Sequence, residues 1–263
     1  MLVKLTMDVD FYRFSRLCTM VNLIRNNPNI SFERSGIKSW DCVGAERLST
    51  LRNSNARLNM QLIGMLDSPF VRRTAISLKL LGLAFEHRSV SVFSTFDQFH
   101  ALNPVVKAPT LILDDGQVLM DSTLILDYAE RLAGPSAAIF PADLAQRARA
   151  VRLTGLAMAA NEKSVQIVYE RKVRPADKLY QVWLDRVRGQ LLAAYDELEK
   201  ELRDQPLHGA GQALGHDGVA IAVAWGFTQM LVSDVVPAAD YPSVQAFSAH
   251  CEQLPVFRET PAT

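Results

Sequence analysis

Cysteine is scarce in this chain of 263 residues, and its few positions exclude disulfide-rich and zinc-finger folds. Cys18, Cys42 and Cys251 are the only three, and they form neither a C-x-x-C pair nor the spacing of a metal site. A disulfide scaffold or a zinc finger needs more cysteines at regular spacing. A small, odd number of thiols is typical of a reducing compartment, so the sequence favours the cytoplasm and predicts no metal.

Long apolar runs and an excess of one charge are also absent. No segment approaches the roughly 20 apolar residues that cross a membrane. The 28 basic and 28 acidic residues give a formal net charge of zero, so composition does not predict nucleic acid or a membrane surface as a partner. With 49% apolar and 21% charged residues, the composition is that of a globular protein with a sizeable core.

The first 59 residues differ in composition from the rest of the chain. They carry nine Lys or Arg and five acidic residues, a net charge of +4, and much of the segment is rich in Ser, Asn and Arg. Such a stretch is typical of loop or disorder, so the prediction is a poorly ordered extension over residues 1–59, with the folded protein starting at Met60. The other interpretation, an arm that binds a partner, has no specific residue to support it.

Residues 60–137 show alternating strand and helix patterns. Gly82 follows the first helical pattern as a helix-ending glycine would, and Asp115-Gly116 between two apolar runs is typical of a hairpin. The resulting order β-α-β-α-β-β-α is that of a thioredoxin-like domain. Strands are predicted over residues 61–66, 84–90, 110–113 and 117–120, and helices over residues 70–81, 95–102 and 121–131.

Residues 138–263 are predicted to form an all-helical domain after a linker at Gly134-Pro135-Ser136. Apolar residues from 187 to 202 recur at steps of three and four, which indicates an amphipathic helix. Residues 219–232 are apolar on nearly all sides, which predicts a buried central helix. Cys251 falls on the apolar side of a last helix and is predicted to be core.

Ser68 and Pro69 stand where the first strand pattern gives way to the first helix pattern. Serine is a common helix cap, and proline suits the first helical position because its missing N–H would be unpaired there. The positive end of the helix dipole and its free N–H groups stabilise a nearby anion, such as a thiolate. Ser68 is therefore either a plain cap or a group that stabilises a bound thiolate.

Two further stretches have a binding interpretation beside a plain one. Pro109 in Lys107-Ala108-Pro109 either starts an edge strand with an ordinary trans bond or, if cis, turns the Ala108 backbone toward a peptide-like ligand. As a helix cap, Ser122 would leave N–H donors free for a carboxylate while Asp121 accepts from an ammonium. The plain interpretation is a cap beside an acidic residue.

Taken in order, these stretches resemble the cytosolic glutathione transferase family, most closely its tau-like and related bacterial serine-type members. The resemblance runs from Met60 to the C-terminus and implies a thioredoxin-like domain followed by an all-helical domain. It rests on Ser68-Pro69-Phe70-Val71-Arg72-Arg73, Asn103-Pro104, Lys107-Ala108-Pro109-Thr110-Leu111 and Asp121-Ser122-Thr123-Leu124-Ile125.

The resemblance implies a role for each matching residue. Ser68 would donate a hydrogen bond to the sulfur of glutathione as the catalytic residue, and Lys107 would lie near the glycyl carboxylate. Ala108, before a cis Pro109, would pair its backbone with the cysteinyl moiety. Asp121 and Ser122 would hold the γ-glutamyl end. Phe70 and Arg72 are expected to pack or support.

Three departures from the family pattern bear on these roles. Asp121 replaces the commoner glutamate and is one methylene shorter, and Ala108 replaces a β-branched residue. The Asp67 carboxylate would oppose thiolate formation if it faced the sulfur. Because serine, unlike cysteine, cannot form a mixed disulfide, Ser68 favours conjugation over thiol transfer.

The resemblance therefore implies an enzyme that uses glutathione as co-substrate and adds its thiolate to a small electrophile, as in detoxification. The alternative is a non-catalytic glutathione-binding or stress-regulatory member of the fold, and a peroxidase, lyase or isomerase is a third. A homodimer is expected by resemblance. The resemblance does not identify the residues that bind the electrophile. Tyr169 and Trp183 either line that part of the site or belong to the core. The basic cluster Arg171, Lys172 and Arg174 either attracts an anionic substrate or is simply solvated.

Overall fold

The computed structural model describes residues 59–207 and 214–262, and strands and helices are numbered within those ranges. The predicted extension lies almost wholly outside them. The first half contains four strands and three helices, in the order that the sequence predicts. They are β1 (Met60–Ile63), α1 (Pro69–Leu80), β2 (Phe85–Arg88), α2 (Phe96–Leu102), β3 (Thr110–Ile112), β4 (Val118–Met120) and α3 (Ser122–Ala133).

The four strands form one mixed sheet in the order β2-β1-β3-β4. Strand β1 pairs with β2 in parallel and with β3 antiparallel, and β3 pairs with β4 antiparallel. The register places Leu62 opposite Leu111, and both side chains are fully buried. Apolar residues of α1 and α3 pack with them in one core, which confirms the thioredoxin-like fold: Val71, Ala75 and Leu78 from α1, and Ile125 and Ala129 from α3.

Strand β1 is shorter than its pattern predicts because the backbone turns at Gly64. Gly64 has a φ of +138°, and a Cβ at this position would lie 2.6 Å from a methyl carbon of Val71. Only glycine combines this φ with so close an approach. The turn releases residues 65–68 from the sheet, so that they run over its end toward α1.

The second half is helical, as predicted. Its long helices are α4 (Leu144–Lys172), α5 (Gln181–Asp204) and α6 (His216–Val232), followed by α7 (Pro242–Glu252) and α8 (Pro255–Arg258). Helix α6 is buried on nearly all sides, as its unbroken apolar pattern predicts: it packs against α4, α7 and α1. Tyr195 of α5 contacts its Trp225 and Thr228. Cys251 is fully buried beside α6, which confirms its place in the core. None of the described helices is both long and apolar enough to cross a bilayer.

Glu130 holds the connection between the two halves. Its Oε1 accepts hydrogen bonds from the backbone N–H groups of Ile139 and Phe140, at 2.9 and 3.1 Å, and lies 3.1 Å from Nε2 of His216 at the start of α6. Burial, aided by the positive charges of Arg73 and Arg147, lowers the pKa of His216 to about 3. His216 is therefore neutral and donates to the Glu130 carboxylate. The predicted domain boundary at residue 137 lies in this connection.

Candidate functional site

A cleft of about 710 Å³ lies between the first half and helices α4 and α6. Its lining includes every residue that the sequence analysis proposes for the site. They come from three separate stretches of the chain: Ser68 at the start of α1, Lys107, Ala108 and Pro109 before β3, and Asp121 and Ser122 at the start of α3. The fold thus places all six around one cavity.

Ser68 occupies the N-cap position of α1, but its hydroxyl makes no capping hydrogen bond. The expectation of a side-chain cap is therefore wrong. Only the backbone of Ser68 takes part in the helix start: its carbonyl accepts a hydrogen bond from the N–H of Arg72 at 2.9 Å. The half-buried side chain lines the cleft, where its hydroxyl makes no hydrogen bond to a described residue. An unused hydroxyl at the positive end of a helix is a donor for an anion.

The segment from residue 103 to residue 110 is fixed by a buried asparagine. Asn103 donates from Nδ2 to Oγ1 of Thr110 at 2.8 Å and accepts at Oδ1 from the N–H of Val105 at 3.0 Å. The Thr110 hydroxyl in turn donates to the Lys107 carbonyl at 2.8 Å. The Ala108–Pro109 bond is cis, the form that the resemblance implies. In the sequence, Asn103 stood out only as part of the Asn103-Pro104 stretch of the family resemblance.

Asp121, and not Ser122, is the N-cap of α3, which corrects the sequence analysis. Asp121 has a φ of +73°, and its Oδ1 accepts from the N–H of Thr123 at 3.0 Å. A positive φ is uncommon for any residue but glycine, and aspartate is among those that tolerate it best. Because the cap falls one residue earlier, Ser122 is the first residue of α3, and its side chain is buried against the helix start.

Lys107 and Asp121 face each other across the cleft. The Nζ atom of Lys107 lies 3.6 Å from Oδ2 of Asp121, and both side chains are about half exposed. An exposed ion pair at this separation contributes little, from zero to about 1 kcal/mol. The two side chains can therefore separate when another charged group enters.

Arg73 lies behind Ser122 and was given no role from the sequence. It is 2% exposed, and its Nη1 donates to the Ser122 hydroxyl at 3.0 Å. Burial lowers the pKa of Arg73 to about 10, against an opposing effect of the Asp121 charge, so it remains a cation at neutral pH. Arg73 belongs to the stretch that carries the family resemblance, but its burial was not expected because a basic residue on a helix is usually solvated.

The opposite wall of the cleft is apolar. Phe93 and Tyr169 meet edge to face, with ring centroids 5.6 Å apart, and partial burial raises the pKa of Tyr169. Among the described residues, the second half of the chain contributes no charged side chain to the lining. The remaining wall residues are Val165 and Val168 on α4 and Phe227, Met230 and Leu231 on α6.

The other residues considered for this wall lie elsewhere. Trp183 does not line the cleft. The cluster predicted as a possible anion site is largely neutralised within the fold. Arg171 donates from both Nη atoms to Asp234 at 2.9 Å, and Arg174 pairs with Glu170 at 2.8 Å. Across residues 59–207 and 214–262, no three His, Cys, Asp or Glu side chains converge as metal ligands would.

Comparisons to known proteins agree with the fold. Residues 62–137 match a family model described as glutathione S-transferase, N-terminal domain. The GST-like protein YibF of Escherichia coli is 30% identical over 166 residues, which cover 63% of this chain and 81% of that protein. The chain belongs to the glutathione transferase family.

Other relatives of this family member include plant proteins and bacterial structures. Glutathione S-transferase U22 of Arabidopsis thaliana is 24% identical over 197 residues, covering 73% of this chain and 85% of that protein. A glutathione transferase family member from Pseudomonas fluorescens Pf-5, solved with bound glutathione, is 27% identical. Its TM-score is 0.64, over 77% of this chain and 98% of that one. A Methylobacterium radiotolerans glutathione S-transferase has the same fold, with a TM-score of 0.69 over 77% and 94% of the two chains at 24% identity.

Proposed function

We propose that this family member is a glutathione transferase that adds the thiolate of glutathione to a small electrophile. The observation that carries the proposal is the position of Ser68. Its hydroxyl makes no hydrogen bond within the described residues, stands at the N-terminus of α1 and lines a cleft with the five other residues to which the family resemblance gives a binding role. Residues 60–137 would bind glutathione, and residues 138–263 would supply most of the electrophile wall.

Thiol activation follows from the surroundings of Ser68. Its hydroxyl would donate a hydrogen bond to the sulfur, and the helix dipole would favour the anionic form. Together these effects support a lowering of the thiol pKa by about one to two units, or about 1.4–2.8 kcal/mol. Asp67 is exposed beside Ser68 and lines the same cleft, so its carboxylate works against this lowering. The net effect is expected toward the lower end of that range.

The remaining site residues would hold the tripeptide along the cleft. The Ala108 backbone, presented by the cis bond to Pro109, would pair with the cysteinyl moiety as a short strand does. Ser122 would donate to the γ-glutamyl carboxylate and Asp121 would accept from its ammonium. We propose that this ammonium displaces Lys107 from Asp121, since one cation replaces another there. Lys107 is then free to reach the glycyl carboxylate.

The electrophile class is proposed from the apolar wall. The α4 and α6 residues of the lining carry no charge, and Tyr169 supplies their only hydroxyl. Carboxylated or phosphorylated acceptors would be desolvated there without a partner. We propose an uncharged, apolar electrophile that packs against Phe93 and Tyr169.

A homodimer is also proposed, on a stripe of exposed apolar residues. Leu124, Tyr128 and Leu132 lie four residues apart on the outer face of α3 and are 67%, 36% and 38% exposed. Val118 and Met120 of the neighbouring strand β4 are exposed as well. An apolar stripe continued by an edge strand is typical of a subunit interface. The cytoplasm is proposed as the compartment from cysteine usage alone.

Replacement of Ser68 tests the proposal. Glutathione binding by the full chain is measured by calorimetry. The pKa of the bound thiol is measured from thiolate absorbance as a function of pH. Turnover is measured with an uncharged aryl halide as the electrophile. Ser68→Ala removes the hydroxyl but keeps the helix dipole, so it is expected to raise the thiol pKa by up to about one unit and to lower kcat/KM by up to about 10-fold, with little change in Kd. Ser68→Thr keeps a hydroxyl and is the matched control.

The outcomes separate the two main interpretations. Equal activity of Ser68→Ala and wild type would remove Ser68 from the mechanism. Tight glutathione binding with no turnover by either protein would favour the non-catalytic alternative. Loss of activity in Ser68→Ala with retention in Ser68→Thr supports the proposed thiolate chemistry.

A further inference from the structure

The connection between α4 and α5 exposes a group of apolar side chains. We call residues 171–188 the hairpin tip; they comprise the end of α4, the connection and the first turns of α5. Residues 171–183 are all exposed, without a buried residue among them. Five large apolar side chains lie in this stretch, each between 37% and 66% exposed: Val173, Leu179, Tyr180, Val182 and Trp183. An exposed group of this kind is typical of a surface that binds a partner or a membrane.

The hairpin tip also carries positive charge. It contains six Lys or Arg and two Asp residues. Two of its arginines pair with carboxylates from outside the tip, those of Glu170 and Asp234, and counting these two acids leaves a net charge of +2. The remaining residues of 60–263 include 13 Lys or Arg and 19 acidic residues, a net charge of −6. The hairpin tip is therefore basic although residues 60–263 as a whole are acidic.

Some of these cations are available to an outside anion. Three of the six make no ion pair with a described residue: Lys172, Arg186 and Arg188. Lys172 directly precedes Val173, and Arg186 follows Trp183 by three residues on α5, so the two lie on one face of that helix. Positive and apolar side chains are thus neighbours on the hairpin tip.

The combination favours an anionic membrane over other partners. Nucleic acid would match the positive charge, but its phosphates offer nothing to exposed aliphatic side chains. A second copy of the chain would match the apolar side chains, but it would bring two positive tips together. At a membrane interface, aliphatic side chains reach the acyl boundary, Tyr and Trp lie at headgroup level, and Lys and Arg face the lipid phosphates.

We propose that the hairpin tip is a peripheral docking surface for a bilayer that contains anionic phospholipids. Tyr169 lies one turn before Val173 on α4 and lines the cleft, so docking brings the cleft close to the bilayer. Under the proposed function, an apolar electrophile dissolved in the lipid then has a short path to the site. The docking itself does not depend on that function.

Vesicle binding by the full chain, without glutathione, tests the inference. The probes are vesicles of phosphatidylcholine alone and vesicles in which about one-third of the lipid is phosphatidylserine, with binding measured by sedimentation. The anionic vesicles are expected to bind about 10- to 30-fold more tightly, because each positive charge near such a surface contributes about fivefold. Added salt is expected to reduce this preference.

Substitutions assign the binding to the hairpin tip. Lys172→Gln is expected to weaken binding to anionic vesicles about fivefold, and Trp183→Ser to weaken binding to both kinds of vesicle about 5- to 10-fold. Lys200→Gln and Leu144→Ser are the matched controls, since both residues are exposed and lie toward the opposite ends of α5 and α4. Both controls are expected to bind like wild type.

Tryptophan fluorescence provides a second measurement that needs no destabilising change. Trp183 is exposed whereas Trp225 is buried, so lipids with brominated acyl chains are expected to quench Trp183. Trp183→Phe keeps an aromatic ring, and it is expected to retain binding but to lose the quenching. Quenching that persists in Trp183→Phe would contradict the inference.

The other outcomes are also decided. Vesicle binding that is unchanged in Lys172→Gln and Trp183→Ser would place the contact elsewhere, such as on the positively charged residues 1–59, and would overturn the inference. Absence of vesicle binding would overturn it as well, whether or not the hairpin tip binds duplex DNA or a second copy instead. None of these results bears on the proposed function, because no measurement involves glutathione.

Discussion

Thr228 forms a cluster with two other hydroxyl groups inside the helical half, and its replacement by valine is expected to lower the free energy of unfolding. The Oγ1 atom of Thr228 on α6 lies 2.9 Å from the Ser164 hydroxyl on α4 and 2.7 Å from the Tyr195 hydroxyl on α5. All three residues are fully buried. Thr228→Val keeps the side-chain volume but removes the shared oxygen, so any loss of stability reports the hydrogen bonds and not a cavity.

Thr228→Val affects the hydroxyl groups of Ser164 and Tyr195 differently. Ser164 can turn its hydroxyl to the carbonyl four residues earlier in α4. Tyr195 is packed edge to face against Trp225, with centroids 5.4 Å apart, and its hydroxyl has no second partner among the described residues. An unpaired buried hydroxyl costs about 1–3 kcal/mol, so Thr228→Val is expected to lower the free energy of unfolding by that amount.

A double-mutant cycle measured by urea denaturation checks the reasoning. Tyr195→Phe alone is expected to cost about 0.5–1.5 kcal/mol, because Thr228 keeps Ser164. Adding Tyr195→Phe to Thr228→Val removes the orphaned hydroxyl, so the double variant should be more stable than the sum of the single losses predicts. Strict additivity, or a change below about 0.5 kcal/mol in Thr228→Val, would refute the account.

Two further predictions rest on shifted pKa values. The pKa of His216 is about 3 in the fold, below the value near 6.5 of an unfolded histidine, so the unfolded state alone takes up its proton between these values. The free energy of unfolding should therefore fall as pH decreases from about 6.5 toward 3. In His216→Gln, the slope of this fall should be smaller by up to about 1.4 kcal/mol per pH unit, as measured by denaturation at a series of pH values. Burial raises the pKa of Cys251 to about 12, so peptide mapping after iodoacetamide treatment at pH 8 should find it unmodified in native protein and alkylated in urea. Equal labelling in the two states would contradict its place in the core.

The fold was predictable because its signals are local. The apolar steps along α5 and the unbroken apolar run of α6 each reflect the surface that the helix buries. Strand ends were predicted less well, since β1 stops where Gly64 must turn beside Val71. That stop depends on a contact with α1, which the strand pattern alone does not contain.

The lining of the cleft was predictable at residues that stand in a recognisable sequence pattern. It was less predictable where contacts between distant parts of the chain fix a side chain. Ser68 follows from its place before Pro69 at a helix start. The cap of α3 was placed one residue late, because Asp121 and Ser122 are both good caps and only the positive φ of Asp121 separates them. The burial of Arg73 behind Ser122 was not predicted, because sequence does not show which arginine of a pair has a carboxylate partner.

The separation of the cleft lining into a charged side and an apolar side has an evolutionary consequence. Substitutions at Val165 or Val168 would reshape the apolar wall while leaving the charged side as it is. Helix α6 is less free to vary, because it is buried on nearly all sides and its Thr228, between the wall residues Phe227 and Met230, is hydrogen-bonded to both α4 and α5. Under the proposed function, new acceptor preferences should therefore arise first on α4, which makes this helix the natural target for a library that diversifies substrate range.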